Sequence, residues 1–441
     1  MRIAPRLRLI FISIIAVQRI AAAAEEEPRA ALDEIIVTAQ KREERLQDVP
    51  IAIVAVSGAN LRNEGVRNLS DLNSSIPDVH VSQAFAQGYL SIRGLSSGIN
   101  PGFESTVGQV IDGYFYPRDR FAYLSFLDID RIEILKGPQG ALIGKNTTAG
   151  AINITTAKPT KTFQGSVDVE REMEGDPGWT EEAAVSGPLV DTLKGRIAIR
   201  DEDHDGYLAR LVSGGREPTR NDKYGRATLQ WDPTDRLDVI LSAARAEIDE
   251  HGRNLELIYC APSFRGSLAA KGLSQYEDCQ RNWRTGENYG RPALGPGQYD
   301  LERTTADIYT LTAALKTPWG TLSALSGYAA FDFLGQESGL RTAIDTRAVD
   351  LGEDWKQMSE EVRLVSNPGG RFDYILGGYF LNSRQGTLDQ IDIFGVRGFS
   401  APIVAHVSSN TYAGFGNLVW HATDTFDATL EGRYTQENKS A

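Results

Sequence analysis

Three stretches of this chain have residue spacings that could do chemistry, and one pair of cysteines could form a bond. Gly94-Leu95-Ser96-Ser97-Gly98 has the Gly-x-Ser-x-Gly spacing that lifts a serine nucleophile onto a tight strand-to-helix turn. The next residues, Ile99-Asn100-Pro101-Gly102, read as a loop and open no helix, so hydrolysis is disfavoured. Gly140-Ala141-Leu142-Ile143-Gly144-Lys145-Asn146 imitates a phosphate-cradling loop. It is one residue short and ends in Asn where a Ser or Thr hydroxyl is needed for magnesium. Asp201, Asp203, Asp205 and Gly206 match the start of a calcium loop, but Val212 stands where a bidentate Glu would close it. An acidic loop base is the plainer reading. With 5 histidines in the whole chain, no multi-histidine metal centre is expected. The residues therefore imply no enzyme, no cofactor and no metal site. Cys260 and Cys279, the only two cysteines, lie in one polar, Gly/Pro-rich stretch. In an exported protein they are expected to close a loop as a disulfide rather than stay as thiols.

The elements that would carry these residues belong to an exported chain. Arg2, Arg6 and Arg8 precede an apolar run, Leu9 to Val17, and then Ala21 to Ala24, which is the order of a secretory signal peptide. Gln18 and Arg19 interrupt the run, and a membrane-anchoring helix would need a longer one. Residues 1–24 are thus expected to be the signal peptide, followed by a linker over 25–45. The net charge of −13 over 441 residues argues against nucleic acid as a partner, because such affinity rests on Lys and Arg neutralising phosphates. Beyond the first segment no apolar run can span a membrane as a helix. Strands that alternate apolar and polar residues could, because they leave no net hydropathy signal.

The remaining chain divides into two unlike parts. Residues 46–160 read as a compact mixed α+β domain. Its expected strands are Ile51–Val56, Val79–Val81, Leu90–Gly94, Val107–Asp112, Ile132–Leu135 and Ala151–Ile154, with helix starts at Gly58 and Asn68. From about 163 the pattern becomes strand-like segments of about 9–12 residues, expected at 163–171, 180–188, 195–203, 223–231, 236–246, 305–316, 320–333, 355–366, 371–382, 410–421 and 426–436. Starting with the second, every other connection is short and turn-rich, as in Asp232-Pro233-Thr234-Asp235 and Asn367-Pro368-Gly369-Gly370. The connections between are mostly long, about 204–222, 247–304, 334–354 and 383–409. A sandwich has no reason to lengthen every second connection, whereas an up-and-down membrane barrel has tight turns on one side and long surface loops on the other. Trp231, Trp319, Trp355, Trp420, Tyr224, Tyr328 and Tyr412 fall near expected strand ends, where interfacial aromatic girdles belong.

Several runs then resemble one family. Asp33-Glu34-Ile35-Ile36-Val37-Thr38-Ala39 resembles the TonB box of TonB-dependent outer-membrane receptors. Gln47-Asp48-Val49-Pro50, Ile92-Arg93-Gly94, Val110-Ile111-Asp112-Gly113, and the long runs Asp130 to Gly144 and Asn146 to Ile154 resemble its plug motifs. Ser359 to Ser366 and Glu431-Gly432-Arg433-Tyr434-Thr435 are similar to its barrel-strand signatures. Ile143 and Ala149 depart from the usual Tyr and Gly. Read alone, the β-branched run Ile35 to Thr38 fits a first plug strand as well as a free strand that adds to a partner's edge. The resemblance implies the second, with the TonB protein of the inner-membrane energising complex as partner.

The resemblance implies a plug followed by a transmembrane β-barrel over 161–441 in the cell outer membrane, touching outer-membrane lipid. It also implies energised uptake of a small-molecule or metal-chelate ligand, foremost a ferric siderophore. A non-iron ligand (cobalamin, a sugar or an aromatic compound) is the alternative within the family, and an exported enzyme the disfavoured one outside it. Ligand-facing plug positions are expected at Ser96, Ser97, Asn100, Tyr114, Phe115, Tyr116 and Arg118. Arg93 and Arg131 sit where the family keeps arginines that latch the plug to wall carboxylates, with Glu361 a candidate partner and a solvated arginine the plain alternative. The eleven strands expected here are half of the family's about twenty-two, and bacterial barrels have even counts. An open half-barrel belonging to a longer receptor is therefore expected.

Overall fold

The computed structural model describes residues 36–38, 40–42, 44–49, 51–84, 87–98, 104–118, 120, 127–212, 214–277, 279–286, 300–338, 347–393, 402–423 and 425–441. The expected signal peptide, Asp33, Glu34, Ile35 and Ala39 of the box, and Asn100 lie outside the described residues.

The chain begins with a hairpin of two short strands, β1 (Ile36–Val37) and β2 (Glu44–Arg45). The mixed domain follows: β3 (Ala52–Ser57), α1 (Gly58–Asn63), a 3-10 turn (Leu69–Ser74), β4 (Val79–Ala84), β5 (Gln87–Ile92), β6 (Val107–Ile111), β7 (Tyr114–Tyr116), β8 (Ile129–Lys136) and β9 (Gly150–Thr156). Local chemistry sets the helical starts. Ser57 Oγ accepts the N–H of Asn60 at 3.2 Å to cap α1. Asn68 and Asp71 cap the 3-10 turn reciprocally, each side chain accepting from the other's backbone N–H. Five strands form one sheet in the order β3-β8-β9-β6-β7, and β4 pairs with β5 separately. Leu69, Leu72, Leu90, Ile92, Ile132, Ile134 and Ile152 fill the core and are fully buried. Gly58 lets β3 turn into α1 against β8, since a Cβ there would lie 1.8 Å from the Ile129 carbonyl oxygen.

The second part is one eleven-stranded antiparallel sheet. Its strands are β10 (Gln164–Glu172), β11 (Gly178–Val190), β12 (Leu193–His204), β15 (Thr219–Thr234), β16 (Leu237–His251), β18 (Leu301–Thr317), β19 (Gly320–Ser338), β20 (Arg347–Val365), β21 (Phe372–Ile393), β22 (Ile403–Thr423) and β23 (Phe426–Ser440). Between them β13 (Leu208–Arg210), β14 (Arg216–Glu217) and β17 (Arg284–Thr285) make a small sheet, and α2 (Pro262–Ala270) forms a short helix. Every strand of the large sheet pairs only with its neighbours in the chain, and β10 and β23 are unpaired edges, so the sheet stays open.

All eleven expected strands are present, but several run further. The stretches 334–354 and 383–409, read from sequence as loops, supply the ends of β19, β20, β21 and β22. The described continuations scatter apolar residues such as Val349, Leu351, Leu388, Ile403 and Val404 among polar ones, so regular alternation fades while the ladder pairing continues.

Face alternation then defines a membrane band. Along the outward face Val167, Ile197, Ile199, Leu229, Leu241, Leu311, Leu322, Val362, Leu376 and Leu418 are all exposed. Exposed apolar side chains in a continuous band mark lipid contact. The paired row Tyr309–Tyr328–Met358 bounds it, and two residues further along the paired row is Asp307–Ala330–Lys356–Arg384. Trp231, Trp319, Trp420, Tyr328 and Tyr412 are exposed on this surface. Tyr224 and Trp355 are not girdle residues. Both are buried, packed against the plug tyrosines Tyr114 and Tyr116. Among the described residues no helix is long and apolar enough to cross a membrane, which says nothing of the strands.

Candidate functional site

The expected box segment and the plug–wall seam form one connected site. At its lower end β1 pairs with β2 through Ile36↔Arg45 and Val37↔Glu44, and Val37 is buried. The next residue, Thr38, is fixed to the plug: its N–H donates to Glu133 Oε1 at 2.8 Å and its hydroxyl to the same oxygen at 3.2 Å. Arg131 Nε (2.8 Å) and Asn153 Nδ2 (2.9 Å) also donate to Glu133, so this fully buried carboxylate is amply satisfied. The box segment is therefore neither a free strand nor part of the plug's main sheet. It is a docked hairpin, paired with β2 and tied to Glu133 through the backbone N–H of Thr38.

The turn of this hairpin reaches the barrel wall. Lys41 Nζ lies 2.5 Å from Glu361 Oε2 on β20 and 4.6 Å above the Phe415 ring on β22. Arg363 Nη1 approaches the other Glu361 oxygen at 2.9 Å, and Arg42 lies 3.6 Å from Asp373 on β21. Burial pushes the Lys41 ammonium down to about 8, outweighing the attraction of Glu361, and the cations of Arg363 and Arg433 push the same way.

The expected latch is differently built. Arg131 pairs with Glu133 and Asp130 inside the plug and does not touch Glu361. Arg93 is exposed in a turn with φ 53° and has no ion-pair partner among the described residues. Glu361 takes Lys41 and Arg363 instead. Lys41 was visible in the sequence as part of the charged run 41–45, but that run reads as a feature keeping the segment out of a core. Nothing in it identifies a partner 320 residues away.

At the upper end the expected ligand-facing residues turn out to face the wall. Tyr114 and Tyr116 are fully buried, with ring centroids 5.0 Å apart in an edge contact. Tyr114 lies on Gly327 of β19, where a Cβ would come within 2.1 Å of its ring, and burial pushes its phenol up to about 12. Arg118 Nη2 meets Glu353 Oε1 on β20 at 2.5 Å and lies 5.5 Å from the Trp355 ring centroid. Arg120 approaches the same carboxylate at 3.5 Å while stacked on Phe333. Gln357 Nε2 donates to the Phe115 carbonyl at 2.8 Å. Tyr114, Phe115, Tyr116 and Arg118 therefore seat the plug. Ser96 and Ser97 remain on an accessible turn. Further ion pairs ring the seam: Arg196 with Asp128, Arg67 with Glu170, and Lys145 with Glu437.

Above the wall, Cys260 and Cys279 are joined, with Cα atoms 5.6 Å apart. Just beyond the loop they close, β17 pairs in parallel with β13 of the preceding connection through Ala209↔Arg284. Among the described residues no three His, Cys, Asp or Glu side chains converge as metal ligands. Asp201 and Asp203 are exposed on one face of β12, so the calcium-like spacing is strand alternation.

A compact mixed domain seated through polar contacts against a lipid-facing antiparallel sheet is the architecture of a plugged membrane barrel. Residues 45–151 match the family model described as the TonB-dependent receptor plug domain. The pesticin receptor of Yersinia pestis is 23% identical over 418 residues, covering 92% of this chain and 56% of that protein. The ferric yersiniabactin uptake receptor of the same organism superposes with TM-score 0.70 at 19% identity, covering 88% of this chain and 61% of that one. The outer-membrane ferripyoverdine receptor of Pseudomonas aeruginosa gives TM-score 0.71 at 15% identity, covering 92% and 54%. Residues 45–151 are thus a plug domain of the TonB-dependent receptor type, the fold of the chain is that of these receptors, and the chain spans a little over half the length of these relatives.

Proposed function

We propose that this chain serves energised uptake of a scarce ligand across the outer membrane, with a ferric siderophore as the ligand class. The observation that carries this reading is the docked box hairpin. A short β-branched strand held by one two-residue strand pair and a few polar contacts, at Thr38, Lys41 and Arg42, is built to be removed, and once removed it offers main-chain donors and acceptors to a partner's sheet edge. The partner in this reading is the TonB protein, which pulls from the periplasmic side. The polar seam supports it too, since ion pairs between plug and wall are weak glue and allow the plug to rearrange. The chemistry is translocation, with no covalent step. The names of the Yersinia and Pseudomonas proteins, which concern yersiniabactin and pyoverdine, support the siderophore class.

The test is transport against binding. Deleting Ile35 to Thr38 should abolish uptake of a radiolabelled ferric siderophore while leaving its binding at the cell surface unchanged. Equal loss of both would overturn the box assignment. Growth of a deletion strain on individual ferric siderophores, cobalamin and sugars would separate the ligand classes.

A further inference from the structure

Away from the plug, the outward face of the sheet carries an ordered pattern of its own. Lys356 of β20 and Arg384 of β21 stand directly opposite each other in the ladder. Both are exposed, and neither has an ion-pair partner among the described residues. Like charges opposite one another across strands repel. The outward arginines of neighbouring strands are arranged differently: Arg245 pairs with Asp307 and Glu247, and Arg303 with Asp249. Lys356 and Arg384 thus gather positive charge at one point without a direct counter-ion. Tyr328 and Met358, one step nearer the short turns, bound the apolar band. Tyr374 lies at the turn end of β21, ten positions before Arg384. At about 3.3 Å per residue and about 40° of tilt the two are about 25 Å apart in height, the thickness of an outer-membrane apolar band. The two cations therefore sit where the band meets the lipid headgroups, on the side of the long connections.

Beyond them, away from the band, lies a shallow depression of about 370 Å³ whose lining includes Arg303, Thr305, Asp332, Asp354, Gly386 and His406. Gly386 keeps its floor low, because a Cβ there would run into the Asp354 carboxylate. Carboxylates, a hydroxyl and an imidazole around bare backbone suit the many hydroxyls of a sugar. The surface thus runs from apolar Val362 and Leu376, through basic Lys356 and Arg384, to the polar depression. We propose that this face binds a phosphorylated, sugar-headed lipid of the outer leaflet. Its acyl chains lie on the band, a phosphate sits between Lys356 and Arg384, and the sugar enters the depression. The phosphate turns the repulsion of the two cations into attraction, with the arginine fork taking two oxygens and the ammonium acting as a point charge. Asp332 and Asp354 stand on the side away from the band, so they meet hydroxyls and not phosphate. The site rests on the lipid-facing band alone and is independent of the box and of the transported ligand.

The experiment titrates the full chain, held in phosphatidylcholine nanodiscs, with diphosphoryl lipid A and counts bound lipid by native mass spectrometry. The double variant Lys356→Gln/Arg384→Gln should bind at least about tenfold more weakly, because two cations at headgroup level are lost. Arg245→Gln, which removes an outward cation already paired with Asp307, should bind as the unaltered chain does. Lipid A should also outcompete cardiolipin, which brings two phosphates and acyl chains without the sugars. Gly386→Val, which raises the floor of the depression, should erase that preference. Equal binding by the double variant and the unaltered chain, or no preference over cardiolipin, would overturn the proposal. Displacement of lipid A by inorganic phosphate alone would assign the two cations to a free anion and overturn it as well. Protease resistance of the plug checks that each variant is folded. If the double variant fails that check, the single variants Lys356→Gln and Arg384→Gln supply the reading, and unweakened binding in both would overturn the site.

Discussion

The Glu353 clamp should respond asymmetrically to loss of its partners. Glu353 and Arg118 are nearly inaccessible, with side chains 7% and 5% exposed and 2.5 Å between charged atoms. Glu353 also accepts from Gln385 at 3.1 Å and faces Arg120 at 3.5 Å. In Arg118→Ala the carboxylate keeps Arg120 and Gln385, so the loss is that of one charged hydrogen bond, about 1–3 kcal/mol. In Glu353→Ala two guanidiniums lose the carboxylate they share and repel one another. Breaking a buried pair from that side costs about 3–5 kcal/mol. A difference of about 1.4 kcal/mol is tenfold in an equilibrium constant, so the plug amides of β6 and β7 should exchange at least about tenfold faster in Glu353→Ala than in Arg118→Ala. The measurement is native-state hydrogen exchange in vesicles, with Glu353→Gln falling between the two because it keeps an acceptor. If Arg118→Ala loosened β6 and β7 as much as Glu353→Ala, the shared carboxylate would not be what holds the clamp.

Three further outcomes are expected. Gly327→Val should unseat the plug locally, because even a Cβ at that position meets the Tyr114 ring at 2.1 Å, and overpacking of this kind costs about 1–3 kcal/mol; unchanged exchange at Tyr114 would count against the close approach. Cys260→Ser should destabilise the surface loop by about 3 kcal/mol in the chain-entropy model for a loop of this length, read as faster proteolysis between β16 and β18. Docking of the box should also tighten as pH rises. Lys41 is held at about 8 when docked against 10.5 ordinarily, so between those values the docked state binds fewer protons and is favoured by raising the pH, by up to about 3 kcal/mol. A spin label at Ile36→Cys should gain immobile fraction from pH 8 to 10, and a falling immobile fraction would refute the sign.

The parts of this molecule that face lipid were legible in the sequence because lipid imposes a simple rule. Phe372 to Phe380 alternates, and short turns such as Asp232 to Asp235 punctuate the strands, so all eleven were found within a few residues at their turn ends. Beyond the band apolar and polar residues mix, as with the buried Val349 and Leu351 and the exposed Leu388, so the rule lapses and the continuations of β20 and β21 read as loop. Strand parity along β20 also bears on the seam. Glu361 was expected to face inward, and stepping back by twos along β20 gives Ser359, Gln357, Trp355 and Glu353, so Trp355 could have been moved from the girdle to the plug seat by counting. The pairing of Lys41 with Glu361 was not available in this way. It depends on the hairpin folding back so that its turn, rather than Arg93 or Arg131, reaches β20, and hydrogen bonds to Glu133 decide that.

The distribution of contact types along the seam explains how a well-packed plug can still move. Between the ends small wall residues, Ala184, Ala198, Ala246 and Ala306, share one buried apolar cluster with Tyr114, Tyr116 and Leu127 of the plug, which gives area and shape without charge. At both ends charge dominates, through Arg118–Glu353 above and Lys41–Glu361 below. Apolar contacts lose energy gradually as surfaces slide, whereas a buried ion pair changes sign once its partners separate, from tolerated to strongly unfavourable. A seam with a greasy middle and ionic ends therefore has two definite states at each end and little resistance between them. Because β20 carries the carboxylates of both ends, a displacement that breaks one pair strains the other through a single rigid strand.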